Sequence, residues 1–353
     1  YLGSKRRLVP VLTELFGRSG ATTALDLFTG TTRVAQAFKG VGAHVTAVDT
    51  ARYSEMFART WIEHDADAVD PVALQTAVDE LNRVPGEPGY VTDTFCRRSR
   101  FFQPFNGERI DAVRDAIERQ HGGSALEPIL LTSLLLAADK VDSTAGLQMA
   151  YIKQWAPRSY KPMVLEVPKL LAGHGRAVRG DAAALAGTLG SFDLAYLDPP
   201  YNQHRYFTNY HVWETIVAWD RPEHYGVACK RLDARDDETK SVFNRKRKMP
   251  EALAGTIASV DAEIVVVSYN DESWVALDDL RDMCAVHGDV EVLAFDSKRY
   301  IGAQIGIHDP QGNKVGTVSH TRNLEYLVIA GPRPRIDAMT TGPLTLDART
   351  ATR

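Results

Sequence analysis

The densest chemistry in this 353-residue chain is the run Asp198-Pro199-Pro200-Tyr201, followed by Asn202. Two prolines fix φ and remove backbone donors, so the loop is stiff. It can hold one carboxylate, one backbone carbonyl and one aromatic face in fixed relation. That set suits a planar group bearing an exocyclic NH2. Asp198 accepts one N–H, the Pro199 carbonyl accepts the other, and Tyr201 stacks on the ring. The amine of an aromatic base is a poor nucleophile because its lone pair is delocalised into the ring. Two acceptors draw the nitrogen toward tetrahedral geometry and localise the pair. A tight turn closing a buried strand is the competing explanation of the same residues.

A second run is Asp26-Leu27-Phe28-Thr29-Gly30-Thr31-Thr32. A glycine in a strand-to-helix turn lets the backbone approach a ligand closely. The pattern is not GxGxxG, because Thr31, Thr32 and Arg33 follow Gly30. It serves a dinucleotide pyrophosphate poorly and a nucleoside with an amino-acid tail better. Asp49 ends the next predicted strand, where an acidic residue can take ribose hydroxyls. A helix cap or turn is the plainer role for it.

The elements that position these runs follow from hydrophobic spacing. Lys5 to Phe16 is a predicted helix and Thr22 to Phe28 a strand. Thr31 to Val41 is a helix, with Val34, Ala37, Phe38 and Val41 at helical spacing. Ala43 to Val48 is a strand, which completes a βαβ unit. Helices follow at Val72 to Leu81, Ile110 to Ile117 and Leu126 to Val141. Strands return at Ala177 to Arg179, Phe192 to Leu197, Ile264 to Ser268, Val290 to Phe295 and Tyr326 to Ile329. Between them lie helices at Tyr210 to Trp219 and Trp274 to Val286, and a hairpin around Gln311-Gly312-Asn313. The fold class is therefore α/β with a mostly parallel sheet. The expected organisation is an α/β domain over 1–60 and 176–335, a helical insertion over 61–175, a basic loop over 225–250 and an irregular tail over 336–353. Both chemistry-bearing runs follow strands, and ligands in such sheets bind at the carboxyl ends of strands.

Hydrophobic residues make up 44% and charged residues 24%, which excludes a mainly disordered chain. The net charge of -4 excludes a polycation, so any nucleic-acid surface is a local patch. Cys96, Cys229 and Cys284 are scattered, with no CxxC pair, so no disulfide framework, structural zinc or other metal site is expected. A reducing cytoplasm is the simplest setting. The longest apolar stretch, Pro128 to Ala138, is too short to span a bilayer, and no signal peptide is visible.

Further runs stand in order with the first two: Tyr1-Leu2-Gly3-Ser4-Lys5, Gly180-Asp181, Asn209-Tyr210-His211-x-x-Glu214-Thr215, Ser268-Tyr269-Asn270 and Leu324-Glu325-Tyr326-Leu327. The joint order resembles the Dam-like, alpha-ordered N6-adenine-specific DNA methyltransferases. It looks closest to the methylases that accompany type IIS restriction enzymes. The resemblance runs from residue 1 to about 330. It implies a class-I, Rossmann-like fold that uses S-adenosylmethionine. Tyr1, Lys5 and Asp26 would belong to the cofactor set, with Phe28, Gly30 and Thr31 beside its methionine part. Asp49 would hold its ribose and Asp181 would lie near its adenine. Asp198, Pro199, Pro200 and Tyr201 would bind and activate the target adenine, with Asp198 also near the methionine amino group. That base is paired inside duplex DNA, so it must be flipped out. One departure is Thr32, where many relatives carry a second glycine, which leaves less room near the cofactor.

The implied partners are double-stranded DNA and a separately encoded restriction endonuclease, in the cytoplasm at the nucleoid. Arg97, Arg98 and Arg100, interleaved with Phe95, Phe101 and Phe102, would contact phosphates or fill the gap left by the flipped base. The plainer explanation is a surface basic run over a satellite core. His204 and Arg205 would touch DNA near the DPPY loop. Arg245, Lys246, Arg247 and Lys248 would contact DNA, or belong to a solvated loop balanced by Asp233, Asp236, Asp237 and Glu238. His211, Cys284 and the Leu126 to Ala138 stripe are expected to pack. Three other readings stand beside this one. They are an RNA or protein-glutamine methyltransferase, where Asn-Pro-Pro-Tyr is usual, an N4-cytosine methylase, where Ser-Pro-Pro-Tyr is frequent, and a non-catalytic DNA-binding relative.

Overall fold

A computed structural model describes residues 5–200, 205–237, 239–298, 307–308, 314–316, 322–345 and 349–350. In chain order they form α1 (Val9–Ser19), β1 (Thr23–Asp26), α2 (Arg33–Gly40), β2 (His44–Asp49) and α3 (Arg52–Ala58). Next come α4 (Pro71–Arg83), α5 (Pro104–His121), α6 (Glu127–Val141), β3 (Arg176–Arg179), α7 (Ala182–Leu185) and β4 (Phe192–Leu197). They are followed by α8 (Tyr206–Asn209), α9 (His211–Ala218), β5 (His224–Tyr225), β6 (Lys230–Arg231), α10 (Met249–Ser259) and β7 (Ala262–Asn270). The last are α11 (Leu277–Cys284), β8 (Asp289–Lys298), β9 (Ile307–His308), β10 (Lys314–Gly316), β11 (Arg322–Gly331), α12 (Arg333–Thr340) and β12 (Arg349–Thr350). The class is α/β, as the sequence predicts. No helix among the described residues is long and apolar enough to cross a membrane.

The described residues divide into two compact units, one drawn from 29–180 and 205–241, the other from 5–28, 181–200 and 242–350. In the second unit the strands run β12-β8-β11-β7-β4-β1. β1, β4 and β7 are parallel, with Asp26 opposite Tyr196 and Leu197 opposite Val267. β11 is antiparallel to both its neighbours and lies between β7 and β8, which precede it in the chain. β7 is buried along seven consecutive residues, Ile264 to Asn270, which suits a strand covered on both faces. The side chain of Asp193 ties β4 to the start of β1 through the N–H groups of Thr22 and Thr23.

The first part of the tail expected to be irregular is helical, because α12 runs on to Thr340. Ile336 and Met339, three residues apart, turn one face of α12 into the core. Arg18 on α1 then donates to the carbonyls of Thr341 and Pro343. The signal was a helix start with prolines at its first turn, in a stretch too short and polar to register as amphipathic.

In the first unit β2 and β3 pair in parallel, and helices make up most of the rest. The helical stretch expected over 61–175 therefore shares a unit with β2, α2 and α3. Asp70 starts α4 by accepting from the N–H groups of Val72 and Ala73, with Pro71 at the first helical position. Two turns are π-helical, Arg59–Glu63 and Thr92–Arg98. Each has a charged partner. The buried ammonium of Lys39 donates to the carbonyls of Trp61, Ile62 and His64. Burial holds its pKa down to about 8. The Asp111 carboxylate accepts from the N–H groups of Gly89, Val91 and Thr92. At Gly107 a Cβ would stand 2.3 Å from Cys96 Sγ, so only glycine permits this contact with the second π-helical turn. The basic stretch from 225 is not one solvated loop. Arg231 on β6 is buried and donates to both Asp220 and Asp233.

Candidate active site

In the second unit β4 delivers Asp198 just past its last residue, and Pro199 is buried beside it. The Asp198 carboxylate meets the ammonium of Lys5, with Nζ 3.1 Å from Oδ1. The same ammonium lies 3.1 Å from Glu325 Oε2 on β11. Asn270, opposite Glu325 in the ladder, donates from Nδ2 to Oε1 at 3.4 Å. All three ionic groups are largely shielded, with 8%, 18% and 15% side-chain exposure for Lys5, Asp198 and Glu325. Desolvation raises the Asp198 pKa to about 6, Lys5 opposes the rise, and Glu325 adds to it. The buried Tyr196 phenol is pushed up by desolvation and then by the charge of Asp198. Lys5 is held there by its backbone, because its carbonyl accepts from Leu8 and Val9 where α1 begins.

Asp26 is buried at the carboxyl end of β1. Phe28 packs edge-on against Phe243 at 5.1 Å. Asp181 is exposed and caps α7, accepting from the Ala184 N–H at 3.1 Å. Tyr1, Tyr201 and His204 lie outside the described residues.

In the first unit the glycine loop closes on Asp49. The N–H of Gly30 donates to Asp49 Oδ2 at 2.9 Å, and that of Ala51 to Oδ1 at 3.0 Å. Desolvation raises the Asp49 pKa, and these N–H bonds resist the rise. Ser54 on α3 donates to the Gly30 carbonyl. Gly30 has φ 52 and Thr32 φ 59, so the loop takes two left-handed residues within one turn. Glycine adopts that conformation freely, whereas a β-branched residue is strained in it. Thr32 is buried and pinned from α2, where Gln36 Nε2 donates to its hydroxyl at 2.8 Å. Thr31 completes the turn, and its carbonyl accepts from the Thr32 hydroxyl.

The motif around Glu214 supports this loop. Glu214 is buried, and Oε2 accepts from the N–H groups of Arg52 and Tyr53 at 3.0 and 3.4 Å. Asp49 and Glu214 thus both serve the start of α3. Desolvation raises the Glu214 pKa to about 7. Asn209 and His211 fasten to Gln148 through backbone and ring contacts. His211 is fully buried and its pKa is held down to about 3, which makes it a packed residue, as the sequence suggests. Cys284 and the α6 stripe are buried too.

The basic residues divide. Arg97 and Arg98 are exposed, and Arg97 pairs with Asp93 at 2.6 Å. Arg100 donates to the Lys153 carbonyl and lies 4.7 Å over the Trp155 ring. Phe95, Phe101 and Phe102 are fully buried, so the expectation that they fill a gap in DNA does not hold. They build a satellite core, with Phe95 and Phe101 ring to ring at 5.9 Å. Arg205 is exposed ahead of α8. Lys246, Arg247 and Lys248 form an exposed turn before α10, with Arg245 half-buried behind them.

A family model for the D12 class of N6-adenine-specific DNA methyltransferases matches residues 1–283. The chain belongs to that family. The chain is thus a DNA-adenine methyltransferase by membership, with DNA as substrate and a methyl donor required. Its α/β fold is that of the class-I methyltransferases. It is 29% identical over 317 residues to the type II methyltransferase M.NlaIII of Neisseria lactamica, covering 85% of this chain and 92% of that one. It is 28% identical over 324 residues to the modification methylase LlaI of Lactococcus lactis, covering 85% of this chain but about half, 51%, of the relative. It is 32% identical over 239 residues to the type II methyltransferase M.CviAII of Paramecium bursaria Chlorella virus 1, covering 64% and 70%.

Glu325 and Asn270 lie in the Leu324–Leu327 and Ser268–Asn270 runs, which by themselves assign them no chemistry. The signal was present in their positions, yet the pairing that brings them to Lys5 depends on the inserted strand β11.

Proposed function

We propose that this methyltransferase takes its methyl group from S-adenosylmethionine and places it on N6 of an adenine flipped out of duplex DNA. The observation that carries the reading is the shielded Lys5–Asp198 pair at the end of β4, directly ahead of two prolines. The donor set fits the cofactor. Asp49, fixed at the end of β2 by the N–H groups of Gly30 and Ala51, presents the acidic acceptor that ribose hydroxyls require. Gly30 and Thr31 offer backbone at close approach for the methionine part, and Asp26 and Phe28 are assigned to the same cofactor set. Asp181, Tyr1 and Lys5 complete the set.

When bound, the cofactor supplies a methyl already activated on a sulfonium. The remaining demands fall on the chain. Asp198 accepts one amine N–H and the Pro199 carbonyl accepts the other, which localises the nitrogen lone pair. Pro200 keeps the loop stiff, and Tyr201 stacks on the base, an interaction worth roughly 1–3 kcal/mol. Transfer would break the donor's carbon–sulfur bond, leaving a neutral thioether and an amine with one proton too many, which Asp198 would take and pass to water. Asp198 is ionised above about pH 6, so it is a competent acceptor at neutral pH. The carboxylate favours adenine N6 over the substrates usually served by Asn-Pro-Pro-Tyr or Ser-Pro-Pro-Tyr loops.

Arg97, Arg98, Arg205, Lys246, Arg247 and Lys248, all exposed, take phosphates, with Arg100 and Arg245 as supports. The methylase names of the relatives support a restriction-modification setting, and the proposal adds a separately encoded endonuclease as partner and a cytoplasmic, nucleoid-bound location. The test is incubation with methyl-labelled S-adenosylmethionine and mixed-sequence duplex DNA, followed by nucleoside analysis. Label in N6-methyldeoxyadenosine is expected. Label in cytosine, or none in DNA, would overturn the reading.

A further inference from the structure

Lys5 faces two carboxylates, and only one of them belongs to the DPPY loop. A single ammonium between two carboxylates leaves a net negative charge, in a place where water is largely excluded. Shielding three charges from water in this way costs free energy. We infer that Glu325 is a positioning residue for methyl transfer: its carboxylate shares the Lys5 ammonium with Asp198, so that Asp198 remains the stronger base and keeps an oxygen for the substrate amine. The inference rests on the proposed reading of Asp198.

The geometry supports the sharing. The two N–O distances are equal at 3.1 Å, so neither carboxylate owns the ammonium. Asn270 grips the far oxygen of Glu325, and the ladder pairs the two residues across β7 and β11. Glu325 is therefore fixed from behind. The contact with Asp198 falls on Oδ1, which leaves Oδ2 to face the amine. Without the Glu325 charge, Lys5 would collapse onto Asp198 and make it a poorer acceptor and a weaker base. The titratable groups that act on Asp198 are Lys5 and Glu325, and Tyr196 feels both Asp198 and Asp26. Of these, Glu325 is the one whose charge raises the Asp198 pKa, in line with the direction expected of a like charge.

The experiment is the pH profile of single-turnover methyl transfer by the full chain and by Glu325→Gln, which keeps the shape and the Asn270 contact. Wild type is expected to show an acid limb near pH 6. In Glu325→Gln the limb moves down by about one pH unit and the plateau rate falls roughly tenfold. Cofactor affinity, measured by calorimetry, changes less than the rate. A wild-type profile and plateau in Glu325→Gln would overturn the inference while leaving the methyltransferase reading intact. Failure of the wild type to methylate DNA would instead remove the reading beneath it. Should Glu325→Gln not fold, Glu325→Asp carries the test. It keeps the charge but draws it back by one methylene, so the limb stays near pH 6 and the rate falls. An unchanged rate would overturn the inference.

Discussion

Substitution of Glu214 by Gln separates the ionisation of a buried carboxyl from its hydrogen bonding. Glu214 accepts from the first N–H groups of α3 while desolvation raises its pKa from 4.5 to about 7. Between those values the folded chain holds a proton that the unfolded chain has released. Stability therefore falls as pH rises through that window and levels off above it. A shift of about 2.5 units corresponds to roughly 3 kcal/mol in all, of which between about 2 and 3 falls between pH 5 and pH 8. Gln keeps an oxygen for Arg52 and Tyr53 and cannot ionise. It gives up the ion pair with half-exposed Arg52, at 3.7 Å, worth at most about 1 kcal/mol, present only at the higher pH where Glu214 is charged, and already contained in the raised pKa. The assay is denaturant unfolding at pH 5 and pH 8, followed by the fluorescence of Trp213, whose ring packs 5.5 Å from Tyr53. The stability of Glu214→Gln relative to wild type is expected to rise by about 2 kcal/mol from the lower to the higher pH. A difference that is flat between the two pH values would refute the reasoning, because the carboxyl would then ionise alike in both states.

Two further outcomes follow from the loop and the basic turn. Asp49→Ala removes the acceptor for two hydroxyls and frees the Gly30 N–H, so cofactor affinity by calorimetry should weaken tenfold or more, and equal affinity would contradict the ribose assignment. Replacing Lys246, Arg247 and Lys248 together by Ala should lower the slope of log affinity for duplex DNA against log salt by up to about 2.7, with an unchanged slope excluding phosphate contacts there.

How much of this was legible depended on the range of the interaction. β4 and β7 could be read because continuous apolar runs bounded by turn residues report burial on both faces. The αβ order, Asp198 and Asp49 followed from position after a strand. The π-helical turn at Thr92–Arg98 could not, because its geometry answers to Asp111, some twenty residues on, and to the close approach of Gly107. The same turn hid the burial of Phe95 behind exposed neighbours Arg97 and Arg98. Arg231 looked like one more cation in a charged stretch until Asp220 and Asp233 closed on it. Glu325 is separated from Lys5 by 320 residues, and their meeting depends on β11 lying between β7 and β8. Thr32 was visible as a departure from the glycine the resemblance implies, and its left-handed backbone is one that glycine adopts without strain.

The measurement that bears most directly on the central claim compares wild type with Asp198→Ala in single-turnover methyl transfer to duplex DNA, scored by N6-methyldeoxyadenosine. Both proteins should be folded by circular dichroism. Wild type is expected to form the product, and the variant to form it slower by on the order of a hundredfold or more. Equal rates in the two would contradict the claim that Asp198 prepares the adenine amine for attack.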